Sequence, residues 1–220
     1  MVIINIMSED ISKLFPILSY ETVSKTHSVL CIKRLQSDLS IIKHEPMENV
    51  DVYVDEENIL IWYFLVCNLD DPYKYGYYIG RVIVDSEYPM KPPLSYKFFT
   101  PSGRFSVGEK ICVSNSSYHL DTWSPLWNMK TIILGLVSIF LDGKEFGIGH
   151  ISTHVELKRS LAIQSFEYNR KHYLQLVKKF DRFINEDGTP KTPVPIDLTM
   201  ISDLDTVIEK RDIVDDDIDG

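Results

Sequence analysis

Cysteine is scarce in this chain of 220 residues: Cys31, Cys67 and Cys112 are the only three, and no two lie close in sequence. That excludes a disulfide framework and a paired-cysteine zinc site, so no metal is expected. An odd, small number of thiols fits a reducing compartment, and a cytoplasmic or nuclear location is expected. Long apolar runs are also missing. The longest, around Thr131 to Leu141, falls short of the roughly 20 residues that cross a bilayer, so no integral membrane segment is expected. The first ten residues hold Glu9 and Asp10 and no Lys or Arg, and do not read as a secretory signal.

Basic residues are in deficit, giving a net charge of -9. The acids Asp203, Asp205, Glu209, Asp212, Asp215, Asp216, Asp217 and Asp219 face only Lys210 and Arg211, so this tail carries -6 of the total and the rest about -3. A near-neutral body with an acidic tail lacks the cationic surface that displaces phosphate counterions, which argues against nucleic-acid binding. What the chain does have is 44% hydrophobic and 25% charged residues. That suffices for one well-buried domain with extensions. Residues 1–25 form an unassigned N-terminal extension, residues 26–181 the domain, and residues 182–220 a Pro-punctuated linker and acidic tail.

From Thr26, the residues Val29, Ile32, Leu35, Leu39 and Ile42 fall at helical spacing, with Lys33, Arg34 and Asp38 between them, until Pro46 stops the run. Three strand-like stretches follow at 58–67, 77–85 and 94–100, with short connections that favour an antiparallel meander. Residues 101–125 are polar, irregular and studded with aromatics. A loop that long inside a compact domain is usually functional. Asn128 then caps a helix whose apolar stripe runs through Met129, Ile132, Ile133, Leu136, Val137 and Phe140, and a second amphipathic helical region covers 153–180. The order predicts an α+β layer, helices packed on one antiparallel sheet.

Cys112 is the residue to explain. Cys31 on the first helix and Cys67 at a strand end fit the ordinary role of a small buried hydrophobe. Cys112 sits in polar loop sequence, GEKICVSNSSYHLDTW, with His119 and Asp121 the nearest candidates for a base and its orienter. Their spacing is a weak signal for a cysteine hydrolase, and a cysteine that trades thioesters needs no dedicated base.

Four ordered segments around Cys112 carry a resemblance. SEYPMKPP (86–93), PYKYGYYIG (72–80), the cysteine itself and DTWSPLW (121–127) resemble the signature segments of ubiquitin-conjugating enzymes. Most of that family has His-Pro-Asn before the cysteine. Here TPSGRFSVGEKIC stands instead, similar to the branch that acts in endoplasmic-reticulum-associated degradation, with Ser102 where that branch has Asn. That branch is normally tail-anchored, whereas an acidic segment stands here.

The resemblance implies the fold: an N-terminal helix, a four-stranded antiparallel meander, a long active-site loop, a central helix and C-terminal helices. It implies that Cys112 accepts ubiquitin as a thioester from the activating enzyme, then passes it to a substrate lysine or a ligase cysteine. ATP is spent by the activating enzyme, so no cofactor is implied. Ser102 would take the loop-supporting, oxyanion-side position, and Asp121 or Asp142 the acidic one. His119 would suit a base for serine or threonine acceptors. Met90, Pro125 and Leu126 match the loops gripped by a RING-type ligase, and Lys33 and Arg34 the basic face that meets the activating enzyme. Trp62, Pro92, Pro93 and Trp123 are read as structural. The replacement at Ser102 keeps a second reading open: a catalytically weak scaffold or binding module of the same fold. Conjugation of another ubiquitin-like modifier is a third.

Overall fold

The computed structural model describes residues 28–111, 123–142 and 147–194. Helix α1 spans Val29–His44, and the Ser28 hydroxyl accepts a hydrogen bond from the Cys31 amide at 3.0 Å to start it. Its buried side chains, Cys31, Leu35, Asp38 and Ile42, make one stripe, and Asp38 is the polar exception.

Four antiparallel strands follow: β1 Val50–Val54, β2 Ile61–Val66, β3 Tyr78–Ile83 and β4 Ser95–Phe98, lying side by side in chain order. The expected four-stranded meander is therefore present. β1 is not one of the three strand-like runs. Its sequence VDVYV follows Pro46 closely and carries only a short period-two pattern. β2 begins later than the apolar run, because Asp55 and Asn58 hold a turn before it. Asp55 Oδ1 accepts from the Glu57 and Asn58 amides, and Asn58 Oδ1 from the Leu60 amide.

Alternation along the strands gives the sheet two buried faces. The inner face presents Trp62, Phe64, Tyr78, Val82, Tyr96 and Phe98 to α1 and to α2, which spans Met129–Leu141. Asn128 caps α2 in a reciprocal capping box with Thr131. Six buried side chains at roughly 2 kcal/mol each outweigh a cap of about 1 kcal/mol, so packing holds this helix and the cap sets where it begins. Gly80 lies where a methyl would meet the Phe64 ring at 2.1 Å, which lets that ring lie against the sheet.

The outer face carries Tyr63, Leu65, Tyr77, Ile79 and Phe99, covered by α3. That helix spans Val155–Val177 and is kinked at Tyr173. The chain stays packed past the expected boundary at 181. The Arg182 amide donates to Asp51 Oδ2, its guanidinium to the Met47 and Val50 carbonyls, and the Lys191 amide to the Phe183 carbonyl. The Tyr77 hydroxyl donates to the Thr192 carbonyl at 3.2 Å, and Val194 packs on the same outer cluster. Among the described residues, no helix is long and apolar enough to cross a membrane.

Candidate active site

The chain leaving β4 turns at Thr100–Phe105 and runs back along the strand's free edge. Ser102 is fully buried, and its hydroxyl accepts from the Arg104 amide at 3.2 Å, closing a tight local turn. Gly103 takes a left-handed φ of 71°, and its carbonyl accepts from the Thr153 hydroxyl at 3.0 Å. Phe105 stacks on Phe98 with centroids 5.1 Å apart and meets His150 in a T-shaped contact at 5.0 Å. The Gly108 and Ile111 amides then donate to the Phe98 and Tyr96 carbonyls at 2.8 and 2.9 Å. Ile111 is 1% exposed. The next residue in the chain is Cys112.

Two other segments brace this one. Residues 149–151 run beside it, with the Ser106 amide donating to the Gly149 carbonyl and the Ile151 amide to the Arg104 carbonyl. A Cβ on Gly149 would stand 2.5 Å from the Lys110 carbonyl oxygen, so backbone lies directly on backbone there. Arg104, 1% exposed, ties in the central helix. Its guanidinium donates to the Ile139 carbonyl at 3.1 Å and the Asp142 carbonyl at 2.9 Å, and lies 3.0 Å from His150 Nδ1. A cation at a helix C-terminus is also favoured by the helix dipole. Lys158 lies on the adjoining helix, and burial first, then the Arg104 charge, hold its pKa below the ordinary lysine value.

Two of the three thiols are sealed. Cys31 and Cys67 are both 0% exposed. Burial, reinforced by Asp85, pushes the Cys31 thiol up, and burial with Asp51 pushes Cys67 up to about 12. A thiolate is the nucleophilic form, so neither is suited to covalent chemistry at neutral pH. Cys112, His119 and Asp121 lie outside the described residues. Asp142 is exposed at the C-cap of α2.

A second cluster forms where α1 meets the loop before α2. Leu126 is 87% exposed, Met90 59%, and Pro125 half-buried. Trp123 joins their two loops, its indole N–H donating to the Pro89 carbonyl at 2.8 Å. Arg34 fixes the geometry. Its guanidinium donates to the Pro125 carbonyl at 2.9 Å and the Trp127 carbonyl at 2.8 Å, and pairs with Asp38 at 2.8 Å. Asp38, 1% exposed on its side chain, also accepts from the Tyr88 hydroxyl at 2.7 Å and the Met129 amide at 3.0 Å. Arg34 is thus engaged with this loop, while Lys33 beside it is exposed. Trp62 is buried, as its structural reading requires.

Sequence reasoning passed over Asp38, Tyr88, Arg104 and Gly149. In the sequence Asp38 counts only among the charged residues between the apolar positions. The available signal was an acid on the apolar stripe, since Leu35, Asp38 and Ile42 share one face. For Arg104 and Gly149 the tie is between distant segments and had no local signal.

The described layout is a four-stranded antiparallel meander with helices on both faces and a braced segment that ends at Ile111. A family model described as ubiquitin-conjugating enzyme matches residues 34–177, and the chain belongs to that family. Among curated relatives, it is 39% identical over 143 residues to a ubiquitin-conjugating enzyme E2 J2-like protein of Dictyostelium discoideum, covering 64% of this chain and 83% of that one. It is 38% identical over 151 residues to human ubiquitin-conjugating enzyme E2 J2, covering 68% and 58%. With ubiquitin-conjugating enzyme E2 6 of Candida glabrata it shares 39% over 158 residues, covering 71% and 63%. The chain thus matches about three fifths of the length of the human and Candida relatives. A solved Plasmodium vivax ubiquitin conjugating enzyme E2 aligns at 26% identity and a TM-score of 0.42, over 49% of this chain and 98% of its own.

Proposed function

We propose that this protein accepts ubiquitin from the activating enzyme as a thioester on Cys112 and passes it to protein substrates with a RING-type ligase. The observation that carries the reading is the contrast among the thiols. Cys31 and Cys67 are sealed and protonated, and Cys112 follows directly on a segment fixed to β4, to residues 149–151 and, through Arg104, to the central helix. In the loading step the Cys112 thiolate attacks the thioester carbonyl on the activating enzyme, and that enzyme's cysteine leaves as a thiolate. In discharge an acceptor nucleophile attacks the new carbonyl, loses its proton, and Cys112 departs as the thiolate. Ser102, buried and bonded to the Arg104 amide, acts as a shaping residue for the loop. Asp121 or Asp142 serves to orient an incoming lysine.

Met90, Pro125 and Leu126 are the ligase contact, supported by their exposure beside a loop that Arg34 and Trp123 hold rigid. Lys33 faces the activating enzyme, and Arg34 acts there mainly through the loop it clamps. Membership of the endoplasmic-reticulum-associated-degradation branch, and hydroxyl acceptors with His119 as base, extend the same proposal.

The test is a non-reducing gel after incubation with activating enzyme, ATP and ubiquitin. A band that thiol reductant removes is expected from the wild type and from Cys31→Ala, and none from Cys112→Ala. No band with ubiquitin but one with another ubiquitin-like modifier would reassign the cargo. Discharge onto free serine or threonine as well as lysine is expected, and discharge onto lysine alone removes the hydroxyl extension.

A further inference from the structure

The body buries most of its large apolar side chains in two clusters, yet it leaves four of them together on one surface. Val29 is 68% exposed, Leu30 54%, Met90 59% and Leu126 87%. Arg34 gathers them. Leu30 lies one turn before Arg34 on α1, so the two share a face. The Arg34 guanidinium donates to the Pro125 carbonyl at 2.9 Å, next to Leu126, and lies 5.6 Å over the Tyr88 ring, two residues before Met90. The Ser28 amide donates to the Ser86 carbonyl at 3.4 Å, which sets Val29 beside the loop that carries Met90. An exposed apolar patch on a folded body marks an interface. The chain that precedes this patch is apolar too. Ten of the 17 residues from Val2 to Leu18 are Val, Ile, Leu, Met or Phe, whereas a solvated extension is polar and charged. Residues 19–27, between that stretch and the patch, are mostly polar.

We propose that the apolar leader, residues 2–18, docks in cis on the surface formed by Val29, Leu30, Met90 and Leu126. Connectivity sets where the two meet. The leader enters the described body at Ser28, at the edge of the patch, so residues 19–27 are the whole tether. The ten steps from Leu18 to Ser28 reach up to about 30 Å, while Leu30 to Arg34 is only about 6 Å of helix. A tether that short holds the leader at an effective concentration on the order of millimolar, so modest apolar contacts suffice. Charge agrees with this placement. Glu9 and Asp10 sit among the apolar residues, and Lys33, exposed one turn along from Val29, offers them a cation. The basic face that suits a membrane surface is missing, because Lys13 is the only Lys or Arg in residues 1–18. The docking itself stands apart from the reading of Cys112. Its consequence rests on that reading: the leader covers the surface assigned to the ligase, and a ligase has to displace it.

The test uses the full chain with Ile11, Leu14, Phe15 and Leu18 all changed to Ser. None of the four belongs to either core cluster of the described residues. Binding of the apolar dye ANS is measured at two protein concentrations, with amide exchange in peptides covering residues 29–34. Docking predicts that removing apolar side chains raises dye fluorescence, by roughly threefold, because the patch beneath is uncovered. Exchange over residues 29–34 is expected to quicken by about the same factor. In a background carrying Leu30→Ser and Leu126→Ser, both exposed positions, the same four changes should leave both readouts within about 1.5-fold of that background. Dye binding that is unchanged or lowered by the serine changes overturns the proposal, as does an equal rise in both backgrounds, since the leader would then act elsewhere. An effect seen only at the higher concentration also overturns it and assigns the surface to a second copy. Sedimentation of the full chain with anionic vesicles, lost in the serine variant while the dye signal stays unchanged, assigns the leader to a lipid surface instead. None of these readouts involves ubiquitin, so their failure leaves the thioester gel to be judged alone.

Discussion

The two ends of the central helix are both held by a buried charged side chain from elsewhere in the chain, but they are held differently. At the N-terminus Asp38 receives the Met129 amide, the Tyr88 hydroxyl and the Arg34 guanidinium, so the charge that complements the helix dipole is closed by an ion pair. At the C-terminus Arg104 donates to the Ile139 and Asp142 carbonyls and meets His150 and the Phe105 ring. The first clamp leads outward to the exposed Leu126 and Met90. The second leads inward to the segment that ends at Ile111. One helix thus anchors the exposed surface of Met90 and Leu126 at one end and the segment ending at Ile111 at the other, and each can be disturbed separately.

The largest expected effect is at the inner clamp. Arg104→Met strands two carbonyls at the helix end and loosens residues 101–111, with a loss of roughly 4 kcal/mol in denaturant unfolding. At a temperature where the variant is still folded, thioester formation should fall at least tenfold; loading at the wild-type rate would break the inner half of the comparison. Asp38→Asn keeps an acceptor for the Met129 amide but removes the charge that Arg34 faces. A loss of roughly 2 kcal/mol is expected, with loading within threefold of wild type. Arg34→Ala should cost about 1 kcal/mol and slow ligase-stimulated discharge more than loading. Lys33→Ala should do the reverse, and matching profiles for the two would show that Arg34 does not act through its loop. The smallest effect is spectroscopic. Removing Arg104 takes away the second cause of the depressed Lys158 pKa and leaves the larger, burial. In Arg104→Met the Lys158 side-chain titration should therefore move upward toward the free lysine value without reaching it.

How much of this was legible in the chain follows the same division. The central helix, with its Asn128 cap and six-residue apolar stripe, could be read locally because cap and stripe are both encoded within it. The order of elements and the exposed loop residues Met90 and Leu126 were legible through the four signature segments. β1 was not, because five residues with one short alternation carry little signal until β2 lies beside them. The clamps were not legible either. Asp38 and Arg104 acquire their roles from partners about 90 and 35 residues away in sequence, and no local pattern separates a buried charge from a solvated one. The outward stretch from 182 to 194 looked like linker because of its prolines, yet Tyr77 and Asp51 bind it down, and the Lys191 amide closes on the Phe183 carbonyl within it.

Gly149 has a consequence for variation in the protein. Because the Lys110 carbonyl occupies the place a methyl would need, the spacing between these two stretches is fixed by main chain alone. Side chains along these stretches can then change in size or polarity without altering how far the segment ending at Ile111 stands from residues 149–151. Chemistry there is open to drift, and the scaffold's dimensions are not.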